Sequence, residues 1–154
     1  DLAFDRPRGA KQSFKGDSVR FEIDASVTRK LRRISSSQDC TLYMTLLSAW
    51  AVLLYRHSGE EDILVGSPIA NRNHQDIEGL IGFFVNTLAM RFDFKGNPDF
   101  TDFLAQVRQT SLDAFANQDL PFEKLVDSIQ PERDLSRNPL FQVMFALQNA
   151  PAEE

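Results

Sequence analysis

The chain has 154 residues, about the size of a single domain. Its 42% hydrophobic and 25% charged residues exclude an intrinsically disordered chain. The one cysteine, Cys40, excludes an intramolecular disulfide framework, and we therefore expect a cytoplasmic protein. The longest apolar run, Leu42 to Tyr55, contains polar residues and is shorter than the ~20 residues that a membrane-spanning helix requires.

The net charge of −5 is unevenly distributed along the chain. Residues 1–33 contain nine Lys and Arg against five Asp and Glu, a sum of +4, which leaves −9 for the remainder. Four basic residues lie between positions 29 and 33, with no aromatic residue among them to stack on bases. With a pI of about 5.0, this pattern predicts a solvated helix face and no nucleic-acid partner.

The first third of the chain contains a predicted strand and two predicted helices. Polar and apolar residues alternate over residues 18–24, which is typical of a half-buried strand. Apolar residues at helical spacing over residues 27–34 predict an amphipathic helix, for which Asp24 or Ser26 can serve as the N-cap. Residues 41–58 are apolar nearly all round and predict a core helix that ends before a glycine.

Further elements follow in the middle of the chain. Residues 62–69 predict a buried strand, and residues 77–81 a short helical turn after a polar loop. Residues 83–94 predict a long strand with an apolar face. Two more helices are expected, one capped by Asp99 and one with Pro121 in its first turn.

The last apolar segment, residues 140–147, predicts a fourth strand. The predicted order is therefore strand, two helices, two strands, two helices and strand. This order indicates an α/β fold, a two-layer sandwich with a mixed sheet.

Catalytic side chains are scarce in this sequence. His57 falls in the last turn of the predicted core helix, where a cation complements the helix dipole, so we interpret it as structural. His74 lies in a polar loop and is either solvated or able to meet a substrate. Cys40 precedes a helix start, where it is either a thiolate or an ordinary buried thiol. No glycine-rich phosphate loop, His-Glu-x-x-His or Cys-x-x-Cys pattern occurs, so no metal site is predicted.

Asn86 is the most suggestive single residue, because it interrupts the apolar face of the predicted strand 83–94. A buried amide must find hydrogen-bond partners or cost ~1–3 kcal/mol. Its partners are either the backbone of a neighbouring loop or a ligand in a cavity, and the sequence leaves both interpretations open.

Three long segments resemble, in order, three late core motifs of nonribosomal peptide synthetase condensation domains. They are residues 81–91 (IGFFVNTLAMR), 117–125 (NQDLPFEKL) and 133–145 (RDLSRNPLFQVMF). Residues 5–8 (DRPR) resemble the segment that joins the middle of that domain to its later portion, and residues 65–72 (VGSPIANR) are also similar to the family. The resemblance therefore extends over essentially the whole chain.

The resemblance implies a fold similar to chloramphenicol acetyltransferase, in which two subdomains form a V around a tunnel. Two carrier-protein phosphopantetheine arms enter the tunnel from opposite ends, and an acceptor amine attacks a donor thioester to form an amide bond. The implied partners are the missing portions of the same domain, peptidyl carrier proteins and a neighbouring adenylation domain. No cofactor is expected to bind to the chain directly.

The family's His-His-x-x-x-Asp-Gly motif, which carries the active-site histidine, is absent from this sequence. We therefore expect residues 1–154 to be a partial condensation domain, truncated at both ends, that is inactive and self-associates when isolated. No catalytic residue is assigned to it.

The candidate residues for binding a substrate or a carrier arm in the tunnel are Asn86, Ser67, Asn71, Arg72 and His74. Arg91, on the opposite face of the strand from Asn86, is expected to pair with a carboxylate.

Two other functions remain open. In the first, the chain is a non-catalytic module for carrier docking or for assembly. In the second, it is a stand-alone acyltransferase with His74 as the base. The segment 133–145 favours domains that accept an L donor.

Overall fold

The computed structural model describes residue 9 and residues 15–72, 75–130 and 136–148. This part of the chain forms the following elements: α1 (Ala25–Ser37), α2 (Leu42–Ser58), β1 (Asp62–Ile69), α3 (Gln75–Glu78), β2 (Asn86–Asp93), α4 (Phe100–Ala116) and α5 (Phe122–Ile129). The α/β fold class predicted from the sequence is thus confirmed.

Polar side chains fix where the long helices begin. Asp24 accepts the backbone N–H groups of Ser26 and Val27 at 2.6 and 3.2 Å, and it is the residue that caps α1. Asp99 caps α4 in the same way. The helix α2 ends at Gly59, whose φ of 72° is the left-handed conformation that glycine adopts without strain.

The two strands form an antiparallel pair in which Val65 lies opposite Met90 and Ile69 lies opposite Asn86. One face of this pair packs against α2 and α4. The buried residues of this core are Met44, Leu47, Ala51, Leu54, Ile63, Val65, Leu88, Met90, Phe92, Phe94, Phe103 and Val107. The apolar face that the sequence predicts for residues 83–94 is therefore confirmed between Asn86 and Phe94.

The second face of the strand pair is covered by Phe141, which packs directly on Gly66. A Cβ atom on Gly66 would lie 2.5 Å from Cζ and 2.8 Å from Cδ2 of the Phe141 ring, closer than real Cβ atoms approach a neighbour. The ring centroid of Phe122, the first residue of α5, is 5.3 Å from that of Phe141. The absence of a side chain at Gly66 therefore leaves the space that the Phe141 ring occupies on the sheet.

The predicted strand at residues 18–24 is wrong. These residues have no strand partner in the described part of the chain, and an isolated strand cannot satisfy its backbone hydrogen bonds. Its apolar side faces solvent, with Val19 88% and Phe21 80% exposed.

The predicted strand at residues 140–147 is reduced to one parallel bridge between Gly66 and Met144. Two backbone hydrogen bonds hold it: Gly66 donates to Val143 O at 2.9 Å, and Phe145 donates to Gly66 O at 2.8 Å. This bridge is the parallel component of an otherwise antiparallel sheet.

Smaller differences concern the ends of elements. The strand predicted from residue 83 begins at Asn86, because Phe83 is exposed and unpaired with β1. The helical turn predicted at residues 77–81 lies at Gln75–Glu78, and Pro121 occupies the N-cap position of α5. Among the described residues, no helix is long and apolar enough to cross a membrane.

Candidate functional site

A pocket of about 360 Å³ lies at the end of β1, between α2 and α4. Its lining consists of Tyr43, Ser67, Pro68, Ile69, Ala70, Asn71, Arg72, Phe115, Gln118, Ala146 and Leu147. Its volume is within the range of about 300–1,000 Å³ that is typical of small-molecule sites. The fold thus brings together Ser67, Asn71 and Arg72, three of the five residues proposed from the sequence.

Ser67 forms a short hydrogen-bonded chain at the inner wall of this pocket. Its Oγ donates to the carbonyl oxygen of Phe145 at 3.1 Å, and it lies 2.6 Å from the hydroxyl oxygen of Tyr43. Burial raises the pKa of Tyr43, so this phenol stays protonated at neutral pH. Two aromatic neighbours, Phe115 and Phe145, hold the Tyr43 ring with centroids 6.1 and 5.6 Å away.

Arg72 supports the loop that follows β1. Its Nη1 donates to the carbonyl oxygens of Ile77 and Leu80 at 2.5 and 2.9 Å, and its guanidinium carbon lies 4.4 Å from the ring centroid of Phe84. The preceding Asn71 has a φ of 51°, a left-handed conformation that asparagine tolerates better than most residues. Together they fix one rim of the pocket.

Asn86 is not among the residues that line this pocket. Its Nδ2 donates to the carbonyl oxygens of Gln118 and Leu120 at 2.9 and 2.8 Å, and its Oδ1 accepts the N–H groups of Thr87 and Phe122 at 2.9 and 3.0 Å. These four bonds use both donors and both lone pairs of the amide. The contacts of Asn86 are therefore those of the first interpretation, in which the amide bonds to the backbone of neighbouring segments. Contact between Asn86 and a carrier arm stays a prediction.

The remaining candidates lie elsewhere. His74 is outside the described residues. His57 occupies the last turn of α2, as expected. Burial raises the pKa of the Cys40 thiol, which favours the ordinary-thiol interpretation over a thiolate. Arg91 pairs with Asp62 through two hydrogen bonds of 2.9 and 2.8 Å, so the expected carboxylate partner is confirmed.

Sequence reasoning missed two polar residues of the pocket lining, Tyr43 and Gln118. Tyr43 lies in a helix that is apolar nearly all round, so its hydroxyl gave no pattern that distinguishes it from a core aromatic. Gln118 stands next to the end of α4 inside the segment 117–125, and only the fold brings it to β1.

The family model for the condensation domain matches residues 1–154, so the chain belongs to the condensation-domain family. It is 52% identical over 149 residues to malpinin synthetase of Mortierella alpina, covering 97% of this chain and 2% of that protein. It is 51% identical over 149 residues to surfactin synthase subunit 1 of Bacillus subtilis (strain 168), covering 97% of this chain and 4% of that protein.

Solved structures agree with this assignment. The fold matches a four-domain nonribosomal peptide synthetase bound to AMP and glycine with a TM-score of 0.94 at 30% identity, over 98% of this chain and 12% of that one. It matches the X-domain from teicoplanin biosynthesis with a TM-score of 0.88 at 29% identity, over 94% of this chain and 32% of that one. The chain thus spans only 2–4% of the length of these two curated relatives and about a third of the X-domain structure.

Proposed function

We propose that the chain supplies one wall of the substrate tunnel in a condensation domain that forms amide bonds between carrier-bound thioesters. The observation that carries this proposal is the pocket at the end of β1, which gathers Ser67, Asn71 and Arg72 from the family-like segment 65–72. Phosphopantetheine arms of partner carrier proteins bring the substrates to this wall.

The pocket suits a thin, mostly apolar chain that carries amide groups. Ile69, Phe115 and Leu147 offer apolar contact for methylene groups, while hydroxyl and amide side chains offer hydrogen bonds. No Asp or Glu side chain belongs to the described lining, so the wall has no carboxylate to act as a general base.

In the proposed reaction, the acceptor amine attacks the thioester carbonyl, the C–N bond forms, and the C–S bond breaks to release a thiol. The chain's own residues bind and orient the arm, which reduces the entropic cost of bringing the two groups together. The proton of the amine goes to a base outside this chain, on the portion that carries the His-His-x-x-x-Asp-Gly motif in the family.

A pocket-filling variant of the complete condensation domain tests this proposal. Ala146 lies in the pocket lining and is exposed, so Ala146→Trp fills the space without disturbing the core. Ala116→Trp, at the exposed end of α4 and outside the lining, is the matched control. We expect a single-turnover rate of amide formation at least tenfold lower in Ala146→Trp only. Equal rates in the two variants would contradict the proposal.

The docking alternative is favoured by one observation on α1. Arg29, Lys30, Arg32 and Arg33 are exposed, and within the described residues they form no ion pair. Such a face attracts an acidic protein surface in a salt-dependent manner. If the double variant Arg29→Glu/Arg33→Glu abolishes carrier binding to the chain while Ala146→Trp leaves amide formation intact, docking is its function.

A further inference from the structure

The hydrogen-bonded chain from Tyr43 through Ser67 to Phe145 has a fixed direction. A serine hydroxyl has a single proton, and that of Ser67 points to the carbonyl oxygen of Phe145. Ser67 therefore cannot donate to Tyr43, and the 2.6 Å contact between the two hydroxyl oxygens must use the proton of Tyr43. Both hydroxyl protons therefore take part in hydrogen bonds within the protein.

The oxygens of this pair consequently retain only acceptor capacity. Ser67 Oγ accepts one hydrogen bond and has a second lone pair, and Tyr43 Oη accepts no hydrogen bond from the described residues. Both residues line the 360 Å³ pocket. A ligand that complements this wall must bring a hydrogen-bond donor, because a second acceptor would be repelled there.

The charge of the lining selects between a neutral and a cationic donor. Arg72 is the one charged residue in the described lining, and no Asp or Glu side chain accompanies it. An ammonium group placed there would lose hydration and face a like charge. A neutral amide N–H avoids this penalty, and the apolar residues Ile69, Phe115 and Leu147 contact the carbon chain on which the amide is carried.

We propose that the Tyr43–Ser67 hydroxyl pair is an acceptor site for an amide N–H of the bound chain, and that Tyr43 is a ligand-binding residue. This inference rests on the proposed function, because it names the group of the tunnel ligand that this wall recognises. The aromatic contacts of Tyr43 with Phe115 and Phe145 hold its ring, so the oxygen is positioned before the ligand arrives.

The test compares two probes on the 154-residue chain by NMR titration. Pantetheine has two amide N–H groups, and its doubly N-methylated analogue has none. We expect pantetheine to shift the backbone signals of Ser67 and Gln118 and to bind about five- to tenfold more tightly than the analogue, the effect of one neutral hydrogen bond. In Tyr43→Phe the two probes should bind equally.

Two controls separate this effect from steric and global effects. Tyr55, the other tyrosine, does not line this pocket, and its ring stacks on that of Phe94 with the centroids 4.5 Å apart. Tyr55→Phe should therefore keep the full preference for pantetheine. A steric effect of the methyl groups would persist in Tyr43→Phe, and that result overturns the inference. Should Tyr43→Phe fail to fold, Ser67→Ala takes its place, because it removes the other acceptor oxygen and leaves the proton of Tyr43 without its partner. A weaker preference for pantetheine supports the hydroxyl pair, and an unchanged preference overturns it.

The outcomes also separate this inference from the proposed function. Equal binding of both probes by the wild-type chain overturns the amide site but leaves the tunnel wall intact, since the Ala146→Trp result does not depend on it. Absence of any probe binding at Ser67 and Gln118 overturns the amide site as well. An unchanged rate in Ala146→Trp contradicts the tunnel wall itself.

Discussion

The backbone N–H of Phe122 donates to Oδ1 of Asn86 at 3.0 Å, so a side chain at the start of β2 caps the first turn of α5. The N-cap residue of this helix, Pro121, forms no side-chain capping bond of its own. Since Phe122 also packs on Phe141, one continuous set of contacts joins the three segments that resemble condensation-domain motifs.

Replacement of Asn86 by Ala should destabilise the chain by about 1–3 kcal/mol, because four hydrogen bonds to backbone groups are lost. Urea denaturation measures this change. Asn138→Ala is the control: Asn138 is exposed, its side chain has no hydrogen bond among the described residues, and the change should stay within ~0.5 kcal/mol. Equal midpoints for the two variants would show that the Asn86 bonds add nothing to stability.

Gly66→Ala should destabilise the chain by about 1–3 kcal/mol, because the added methyl group collides with the Phe141 ring. The double variant Gly66→Ala/Phe141→Leu should recover part of this loss, as the smaller side chain makes room. Gly16→Ala, with nothing within 4 Å of the new Cβ, is the control. Additive losses in the double variant would refute a direct clash.

The Asp62–Arg91 pair should make stability depend on pH. The hydrogen bond from Arg91 holds the pKa of Asp62 below its usual range, although partial burial opposes it. Since the folded-state pKa lies below the unfolded value of about 3.9, the contribution is present above that pH and is lost as pH falls through the folded pKa.

We therefore expect the difference in urea midpoint between wild type and Asp62→Asn to stay constant from neutral pH down to about pH 5 and to shrink from there to about pH 2. In the Arg91→Gln background, where the hydrogen bonds from Arg91 are absent, Asp62→Asn should show no such convergence. A constant difference for Asp62→Asn would mean that the pair does not couple folding to protonation.

Exposed apolar side chains should drive self-association of the isolated chain. Phe21→Ser removes a side chain that is 80% exposed, so light scattering should show fewer dimers while the unfolding midpoint is unchanged. Leu53→Ser, at a leucine that is only 45% exposed, should leave association nearly as it was. A wild-type chain that stays monomeric at high concentration would remove the basis for this prediction.

Local patterns predicted most of the elements because their signals lie within a few neighbouring residues. The helix α2 and the strand β1 occupy the predicted positions. An apolar helix that ends at Gly59 and a short apolar run that ends at Pro68 can each be recognised without knowing what they pack against. The strand at residues 18–24 failed for the opposite reason. Its alternation is clear, but a strand needs a partner, and pairing is not visible in a local pattern.

The candidate site was likewise predicted only where its residues are neighbours in the sequence. Ser67 at the end of β1 and the loop residues Asn71 and Arg72 were identified because they stand close together in the sequence. Tyr43 lies 24 residues from Ser67, and only the packing of α2 on β1 brings the two hydroxyl oxygens to 2.6 Å. Likewise, only the fold brings Phe141 onto Gly66, where its side chain is buried.

The most direct test of the account compares amide formation by the 154-residue chain and by the complete condensation domain that contains it, with the same loaded donor and acceptor carrier proteins. Mass spectrometry of the acceptor carrier measures the product. We predict product from the complete domain and none from the chain alone, because the proposed tunnel wall lacks the His-His-x-x-x-Asp-Gly motif of the family. Product from the chain alone that disappears in His74→Ala would contradict this account and support a stand-alone acyltransferase.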